Sequence, residues 1–211
     1  MIVDIILILI VIGLSIIGKY RGFIKCLVGV LSIFVSIILA LMLYKPVGNL
    51  IINNTEVDES INNIIKSKIT TEEVELKTEN KLPDIMEEYI DKANEGINET
   101  KSDIEEKVSN HITTQVIYGI SFILVFIIIK IATILLTVLG KIVEKLPVFK
   151  QINDIGGIIC GLVYGIIIVY ILLTVISIIS PLISDNPIIN GINESYIASF
   201  VYNKNIILKL F

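Results

Sequence analysis

The sequence predicts an all-α, polytopic membrane protein with four transmembrane helices and a helical extracytoplasmic loop. Of its 211 residues, 54% are hydrophobic and only 18% are charged, a balance that is not typical of soluble domains. A membrane helix needs about 20 mostly apolar residues to cross about 30 Å of hydrocarbon. Four stretches qualify, and they cover residues 1–17, 23–44, 116–139 and 155–179.

These stretches divide the chain into four parts. Residues 1–44 hold transmembrane helices one and two, residues 45–115 an acidic helical extracytoplasmic loop, residues 116–180 helices three and four, and residues 181–211 an outer tail. Asp4, near the start of the first helix, is expected at the headgroup level, where a carboxylate stays hydrated. We expect this helix to be retained, because a signal peptide carries positive charge before its apolar run.

Lysine and arginine set the predicted orientation, because short cytoplasmic loops of membrane proteins carry an excess of both. The connection between helices one and two holds three basic residues and no acid: Lys19, Arg21 and Lys25. The connection between helices three and four holds three lysines and two acids: Lys141, Lys145, Lys150, Glu144 and Asp154. Both connections are therefore predicted inside, and the N-terminus, the long loop and the C-terminus outside.

The long outer segment, residues 45–114, carries sixteen acids against eight lysines, so nucleic acid is not an expected partner. Its apolar residues recur at helical spacing in three groups. They are Ile61, Ile64, Ile65 and Ile69; Leu82, Ile85, Met86, Tyr89, Ala93 and Ile97; and Ile104, Val108 and Ile112. Two or three amphipathic helices are predicted, with Pro83 in the first turn of the middle one. They form either a cap that packs on itself or on the membrane surface, or a docking site for an extracytoplasmic partner.

Small residues recur every three or four positions in the apolar stretches. Helix four carries Gly157, Gly161 and Gly165, helix two carries Gly29, Ser32, Ser36 and Ala40, and helix one ends in Gly18 and Gly22. Small residues four apart let helix backbones approach closely in lipid, where water does not drive helices together. These stripes predict tight helix packing. Whether it joins helices of one chain or of several copies stays open at this point.

Lys130 lies about 15 Å inside the predicted third helix, measured at 1.5 Å per residue from its cytoplasmic end. A charge at that depth costs about 2.5 to 3.5 kcal/mol on insertion scales, so it should face protein or water. Equal distances along the neighbouring helices reach Ser36 and Tyr164, which predicts a shared intramembrane polar layer. The alternative is a lysine that is neutral or extends along its own helix.

The tail after helix four also shows helical spacing. Pro181 and Pro187 are expected to end the fourth helix, and six apolar or aromatic residues then repeat: Tyr196, Ile197, Phe200, Val201, Leu208 and Phe211. Aromatic side chains anchor well at the membrane surface, so the pattern predicts a short amphipathic helix in the outer interface.

Several quoted features resemble the colicin V production (CvpA-type) inner-membrane protein family. They are Asp4, the "GKYRG" turn from Gly18 to Gly22, the long outer loop, and the opening "INDIGGIICGLVYG" of helix four, which contains Asp154 and the three spaced glycines. The resemblance implies a multi-pass protein of the bacterial cytoplasmic (inner) membrane. It also implies a role in toxin (colicin V) production and export, and in envelope maintenance.

The sequence contains few of the residues and none of the short motifs that are typical of active sites. It has one histidine, His111, and two cysteines, Cys26 and Cys160, without a phosphate-binding loop, an HExxH or a GxSxG arrangement. We expect no enzyme, cofactor or metal site. His111 is expected to be hydrated at the interface, and the cysteines to act as buried hydrophobes rather than as a disulfide. Asp4 and Asp154 are predicted at opposite membrane faces, which excludes an aspartyl pair.

Two functional hypotheses remain from different classes. In the first, the helices anchor an acidic outer cap that engages an envelope or secretion protein. In the second, several copies associate through the glycine stripes into a homo-oligomer, and Lys130 lines a path for a small solute or anion. We favour the first, because four helices are few for a complete transporter and no pair of broken helices is present.

The predicted topology can be tested with single cysteines in a background that lacks Cys26 and Cys160. Cysteines at Asn98 and Ser195 should react with a membrane-impermeant maleimide in intact cells, because both positions are predicted outside. A cysteine at Gly140 should react only after the cells are opened. Labelling of the Gly140 position alone in intact cells would reverse the orientation.

Overall fold

The computed structural model describes residues 2–72, 101–139, 150–183, 187–205 and 207. Seven α-helices and one 3-10 turn are found within these ranges. They are α1 (Ile2–Arg21), α2 (Phe23–Asn54), α3 (Val57–Glu72), α4 (Lys101–Leu139), α5 (Lys150–Ile179), the 3-10 turn Ser180–Leu182, α6 (Pro187–Asn193) and α7 (Tyr196–Asn203). The predicted helix around Pro83, the labelling positions Asn98 and Gly140, and the tail residues Leu208 and Phe211 lie outside the described residues.

Four of these helices, α1, α2, α4 and α5, are long and apolar enough to cross a membrane. The described ranges contain no strand. A helix satisfies its backbone hydrogen bonds within one segment, which is what a chain in hydrocarbon requires. The predicted all-α, polytopic fold with four membrane-spanning helices is therefore confirmed.

The chain divides into two compact units, each with its own packing. The four-helix unit comprises residues 4–43 and 122–172, and so draws on α1, α2, α4 and α5. The loop-and-tail unit comprises residues 1–3, 44–121 and 173–211.

In the loop-and-tail unit, α2 continues to Asn54, ten residues beyond the stretch that ends at Tyr44, and holds Pro46 in its interior. Proline normally ends or kinks a helix, because its ring removes an amide donor and clashes with the preceding turn. Contacts with Tyr118 of α4 support the continuation. Its hydroxyl donates to Asn49 Oδ1 at 3.0 Å, and its ring meets the Tyr44 ring edge-on, with centroids 5.7 Å apart.

One hydrophobic core cluster of the loop-and-tail unit joins α3 to the first half of α4. Its buried members are Ile61, Ile65, Val108, Ile112, Val116 and Ile117. Four of these belong to the apolar groups that the sequence spacing identified, whereas Ile64 is exposed. α4 starts at Lys101, so this part of the loop is helical and continuous with a spanning helix. The amphipathic pattern is therefore explained by helices that pack on each other.

The described part of the tail folds into two short helices. Pro181 lies in the 3-10 turn, Pro187 begins α6, and α7 ends at Asn203. The following Asn205 is only 2% exposed, and its Nδ2 donates to Thr174 Oγ1 of α5 at 2.8 Å. α7 contains the first four of the six spaced residues, Tyr196, Ile197, Phe200 and Val201, whereas Leu208 and Phe211 lie outside the described residues.

Ser195 is buried, which makes it a poor position for the cysteine of the topology experiment. It is only 3% exposed, and its Oγ donates to the carbonyl oxygen of Gly191 at 2.8 Å. The neighbouring Glu194 is exposed and is the better position for a cysteine in the tail.

The exposed face of α7 should insert into a lipid surface. Tyr196 and Phe200 are 88% and 64% exposed, whereas Ala198 and Tyr202 are fully buried. Because aromatic rings favour the interface, spin labels at Tyr196 and Phe200 in the reconstituted protein should show high collision with lipid-soluble oxygen. A label at the exposed Glu194 is the control and should collide mainly with a water-soluble reagent. Equal water exposure at all three positions would contradict an interfacial helix.

Candidate functional site

The glycines of α5 lie directly against the backbone of α1 in the four-helix unit. A Cβ atom placed on Gly161 would lie 2.6 Å from the carbonyl oxygen of Leu14 and 2.9 Å from Ser15 Cα. At Gly165 the nearest atom would be Val11 Cα at 3.0 Å. These distances leave no room for a methyl group, because real side chains pack at about 3.5 to 4.0 Å.

The same contact continues at the end of α1. A Cβ on Gly157 would lie 2.5 Å from the Gly18 carbonyl oxygen, and one on Gly18 would collide with the backbone of Gly157 and Gly161. Beside the glycines, Ser15 Oγ donates to the Ile158 carbonyl oxygen at 2.9 Å. We call this backbone contact, formed by Gly18, Gly157, Gly161 and Gly165, the glycine seam. It pairs α5 with α1 of the same chain.

Gly22 makes the turn from α1 to α2 and does not belong to the seam. Its φ of +81° lies in the left-handed region, which glycine enters without the steric cost of a Cβ. A side chain there would also run into Asn153. Asn153 Oδ1 accepts a hydrogen bond from the Phe23 amide at 2.8 Å, which satisfies one of the free amides at the start of α2. Asn153 was not identified from the sequence, although it stands inside the quoted "INDIGG" motif.

The small residues of α2 include one that lies against α5 and two that are completely buried. Gly29 lies beside the ring of Tyr164 on α5, since a Cβ atom placed on this glycine would lie 3.6 Å from Tyr164 Cε2. Ser36 and Ala40 are completely buried. The Ser36 hydroxyl donates to the Ser32 carbonyl oxygen of its own helix at 2.7 Å.

Lys130 of α4 reaches α2 and bonds there to Ser32. Its Nζ donates to Ser32 Oγ at 2.5 Å and lies 3.4 Å from the Gly29 carbonyl oxygen. The Ser32 hydroxyl in turn donates to the same carbonyl oxygen at 2.8 Å. The predicted partner was Ser36, which is one helical turn away and bonded to its own backbone. The ring of Tyr164 lies beside Gly29, and so next to the contact between Lys130 and Ser32. No described carboxylate forms an ion pair with Lys130.

The two cysteines lie together, which their sequence separation does not predict. Cys26 of α2 and Cys160 of α5 are both buried and belong to one cluster with Val30. They are free thiols that fill the space between two helices, as small hydrophobes do.

The remaining candidates lie apart from this group. Asp4 is in the first turn of α1, and Asp154 lies one turn before Gly157, which contacts the last turn of α1. The two acids are therefore near opposite ends of α1, and both are partly buried. Fourteen residues separate Asp4 from Gly18, about 21 Å of helix at 1.5 Å per residue. His111 is exposed on α4, with a ring nitrogen 3.4 Å from Gln115 Nε2.

A comparison with protein families identifies the chain. The sequence model of the family described as Colicin V production protein matches residues 3–71 and 89–205. The chain belongs to the colicin V production protein family. The matched ranges of this family include the glycine seam, Asn153, Lys130 and both cysteines. No curated protein and no solved structure matches the chain.

The glycine seam predicts how substitutions change the stability of this member of the colicin V production protein family. Gly161→Ala should lower the melting temperature in mild detergent, because its methyl group would collide with backbone atoms of α1. Overpacking of this kind costs about 1 to 3 kcal/mol. Gly161→Leu should be worse still. The measurement is thermal unfolding of the purified protein followed by circular dichroism.

Gly13→Ala is the matched control, because Gly13 also lies on α1 but a Cβ atom placed on it would meet no other atom within 4 Å. Alanine favours a helix over glycine by about 1 kcal/mol, so this variant should be unchanged or more stable. If Gly161→Ala were as stable as Gly13→Ala, the seam would not hold the helices together.

Proposed function

We propose that this protein is a non-enzymatic accessory factor of the bacterial cytoplasmic membrane that supports toxin production and export and the maintenance of the envelope. Membership of the colicin V production protein family is the observation that carries the proposal. The four membrane-spanning helices support the anchoring role. In the proposed orientation, which rests on the lysine and arginine asymmetry, both termini and residues 45–115 face outward.

The contacts of the four-helix unit support a structural role for its helices. α1 and α5 meet at backbone distance, and a polar contact between Ser15 and Ile158 accompanies them. Close packing at small residues and hydrogen bonds between helices both promote helix association in lipid. We infer that the helices form a stable anchor, and that the acidic outer segment engages an envelope or secretion partner.

A pore or transporter component is the second candidate, and Lys130 is the observation that favours it. An ionisable residue within a spanning helix is a functional candidate by default. However, Lys130 finds oxygen acceptors on α2 of the same chain, so its amine needs no water-filled path for hydrogen bonding. The pore candidate requires copies of the chain to associate through the glycine stripe of α5, but α1 of the same chain covers this stripe. Both contacts favour the accessory role.

The absence of catalysis is part of the proposal and rests on the sequence. A single histidine, two cysteines and the lack of the usual nucleophile and phosphate-binding motifs give little material for an active site. The deep lysine has no described acid beside it with which it could exchange a proton. We therefore expect the protein to act by binding.

Complementation of a deletion strain tests the proposal. Loss of the gene should reduce export of a peptide toxin and raise sensitivity to envelope stress, and the wild-type gene should restore both. Lys130→Met keeps the length and apolar character of the side chain but removes its charge, so it should complement if the helices serve as an anchor. Gly161→Leu should fail, because it separates α1 from α5.

The complementation results distinguish the accessory factor from the pore when the amount of each variant in the membrane is measured as well. Failure of Lys130→Met at a normal membrane level, together with a ring-like oligomer in native mass measurements, would support a pore instead. An unchanged phenotype of the deletion strain in both assays would exclude the accessory role.

A further inference from the structure

We propose that a pocket between the start of α3 and the middle of α4 binds a hard divalent cation, with Ca²⁺ preferred to Mg²⁺. The pocket lies in the loop-and-tail unit and has a volume of about 200 Å³. Its polar lining consists of Asp58, Glu59 and Asn62 from α3, and Asn110, Thr113 and Thr114 from α4. This site goes beyond the accessory role proposed above and does not depend on it.

The two acids alone do not indicate a ligand. Asp58 and Glu59 stand in the first turn of α3, where carboxylates interact favourably with the helix dipole in any protein. Neither forms an ion pair with a described residue, and the pocket lining contains no basic side chain. The pocket therefore carries two uncompensated negative charges beside neutral oxygen atoms.

Thr113 is the observation that points to a ligand in this pocket. This residue is only 4% exposed, and its Oγ1 is buried without a hydrogen-bond partner. A buried hydroxyl normally finds a partner, because leaving it unpaired after it has lost water is unfavourable. Thr113 also lines the pocket. A cation bound there would accept a lone pair from Oγ1 and satisfy this oxygen.

Two asparagine amides are already fixed at the same place. Asn62 Nδ2 donates to Asn110 Oδ1 at 2.6 Å, and Ser109 Oγ donates to Asn62 Oδ1. Each amide oxygen keeps a second lone pair that a cation can use. The Thr114 hydroxyl donates to the Asn110 carbonyl oxygen at 2.9 Å, so its own lone pairs stay available as well. These bonds reduce the reorganisation that binding requires.

The donor set selects the class of ion. All the candidate ligand atoms are carboxylate, amide or hydroxyl oxygens, which suit hard cations, and the lining offers no thiol or imidazole for zinc or copper. Ca²⁺ accepts six to eight oxygens in irregular geometry, whereas Mg²⁺ requires a near-ideal octahedron. The mixed donors of two helices, with space for water, match Ca²⁺ better. No local motif signals the site, because its halves lie about fifty residues apart in the sequence.

Thermal unfolding of the full-length protein in detergent tests the site, with CaCl₂, MgCl₂ or KCl added at constant ionic strength. Calcium should raise the melting temperature in a saturable way, with half-saturation at about 0.1 to 1 mM, the range of extracellular calcium modules. Magnesium should be less effective at equal concentration, and potassium should have no effect. Isothermal titration of the same sample should give one calcium per chain.

Three variants locate the effect. Asp58→Asn removes one charge at nearly constant shape and should weaken calcium binding by about tenfold or more, because ligand charge sets the affinity of such sites. Thr113→Val removes the unpaired hydroxyl, so it should raise the melting temperature without calcium and reduce the further rise that calcium produces. Glu56→Gln is the control, since Glu56 is exposed and does not line the pocket, and its response to calcium should equal that of the wild type.

Two results would overturn the proposal. If Asp58→Asn and the wild type responded equally, calcium would be acting on general surface charge. If spermidine stabilised the protein at lower concentration than calcium and lost this effect in Asp58→Asn, the pocket would be a site for organic cations rather than metal ions.

Discussion

The four-helix unit depends on the contact of two helix backbones at the glycine seam. In hydrocarbon the side chains of isoleucine and leucine gain little by leaving lipid, so apolar surface alone does not select a partner helix. Gly18, Gly157 and Gly161 instead bring peptide groups of α1 and α5 together, where dispersion contacts are dense. The bond from Ser15 to the Ile158 carbonyl oxygen then fixes their register.

Once α1 is fixed on α5, short polar contacts place the other helices. The Gly22 turn leads directly from α1 into α2, whose first amide is bonded by Asn153 of α5. α2 then meets α5 again at the buried cysteines, and it receives the Lys130 amine of α4 at Ser32. Each polar contact satisfies a group that hydrocarbon would leave unpaired, so the lysine also specifies where α4 packs.

Features that depend on local composition could be predicted from the sequence. Features that depend on which helix lies against which could not. Length and hydropathy predicted the four spanning helices, and spacing predicted the bare stripe on α5, although spacing could not reveal that α1 covers it. Counting residues placed Lys130 opposite Ser36, because a one-turn offset between helices is invisible in sequence. The extension of α2 beyond Pro46 depends on Tyr118, a contact distant in the chain.

The core of the loop-and-tail unit limits how an outside partner could recognise it. The apolar faces of α3 and α4, which the sequence offered as a docking surface, are already buried against each other through Ile61, Ile65 and Ile112. A partner of the described part of this unit therefore meets the outward faces of these helices, where Glu59 and Glu106 are exposed. Residues 45–114 carry sixteen acids against eight lysines, and a negatively charged surface recognises partners by complementary charge, which favours a basic partner and makes binding sensitive to salt. A cation held at Asp58 would lower the negative charge of that surface, and so calcium would weaken rather than strengthen such a contact.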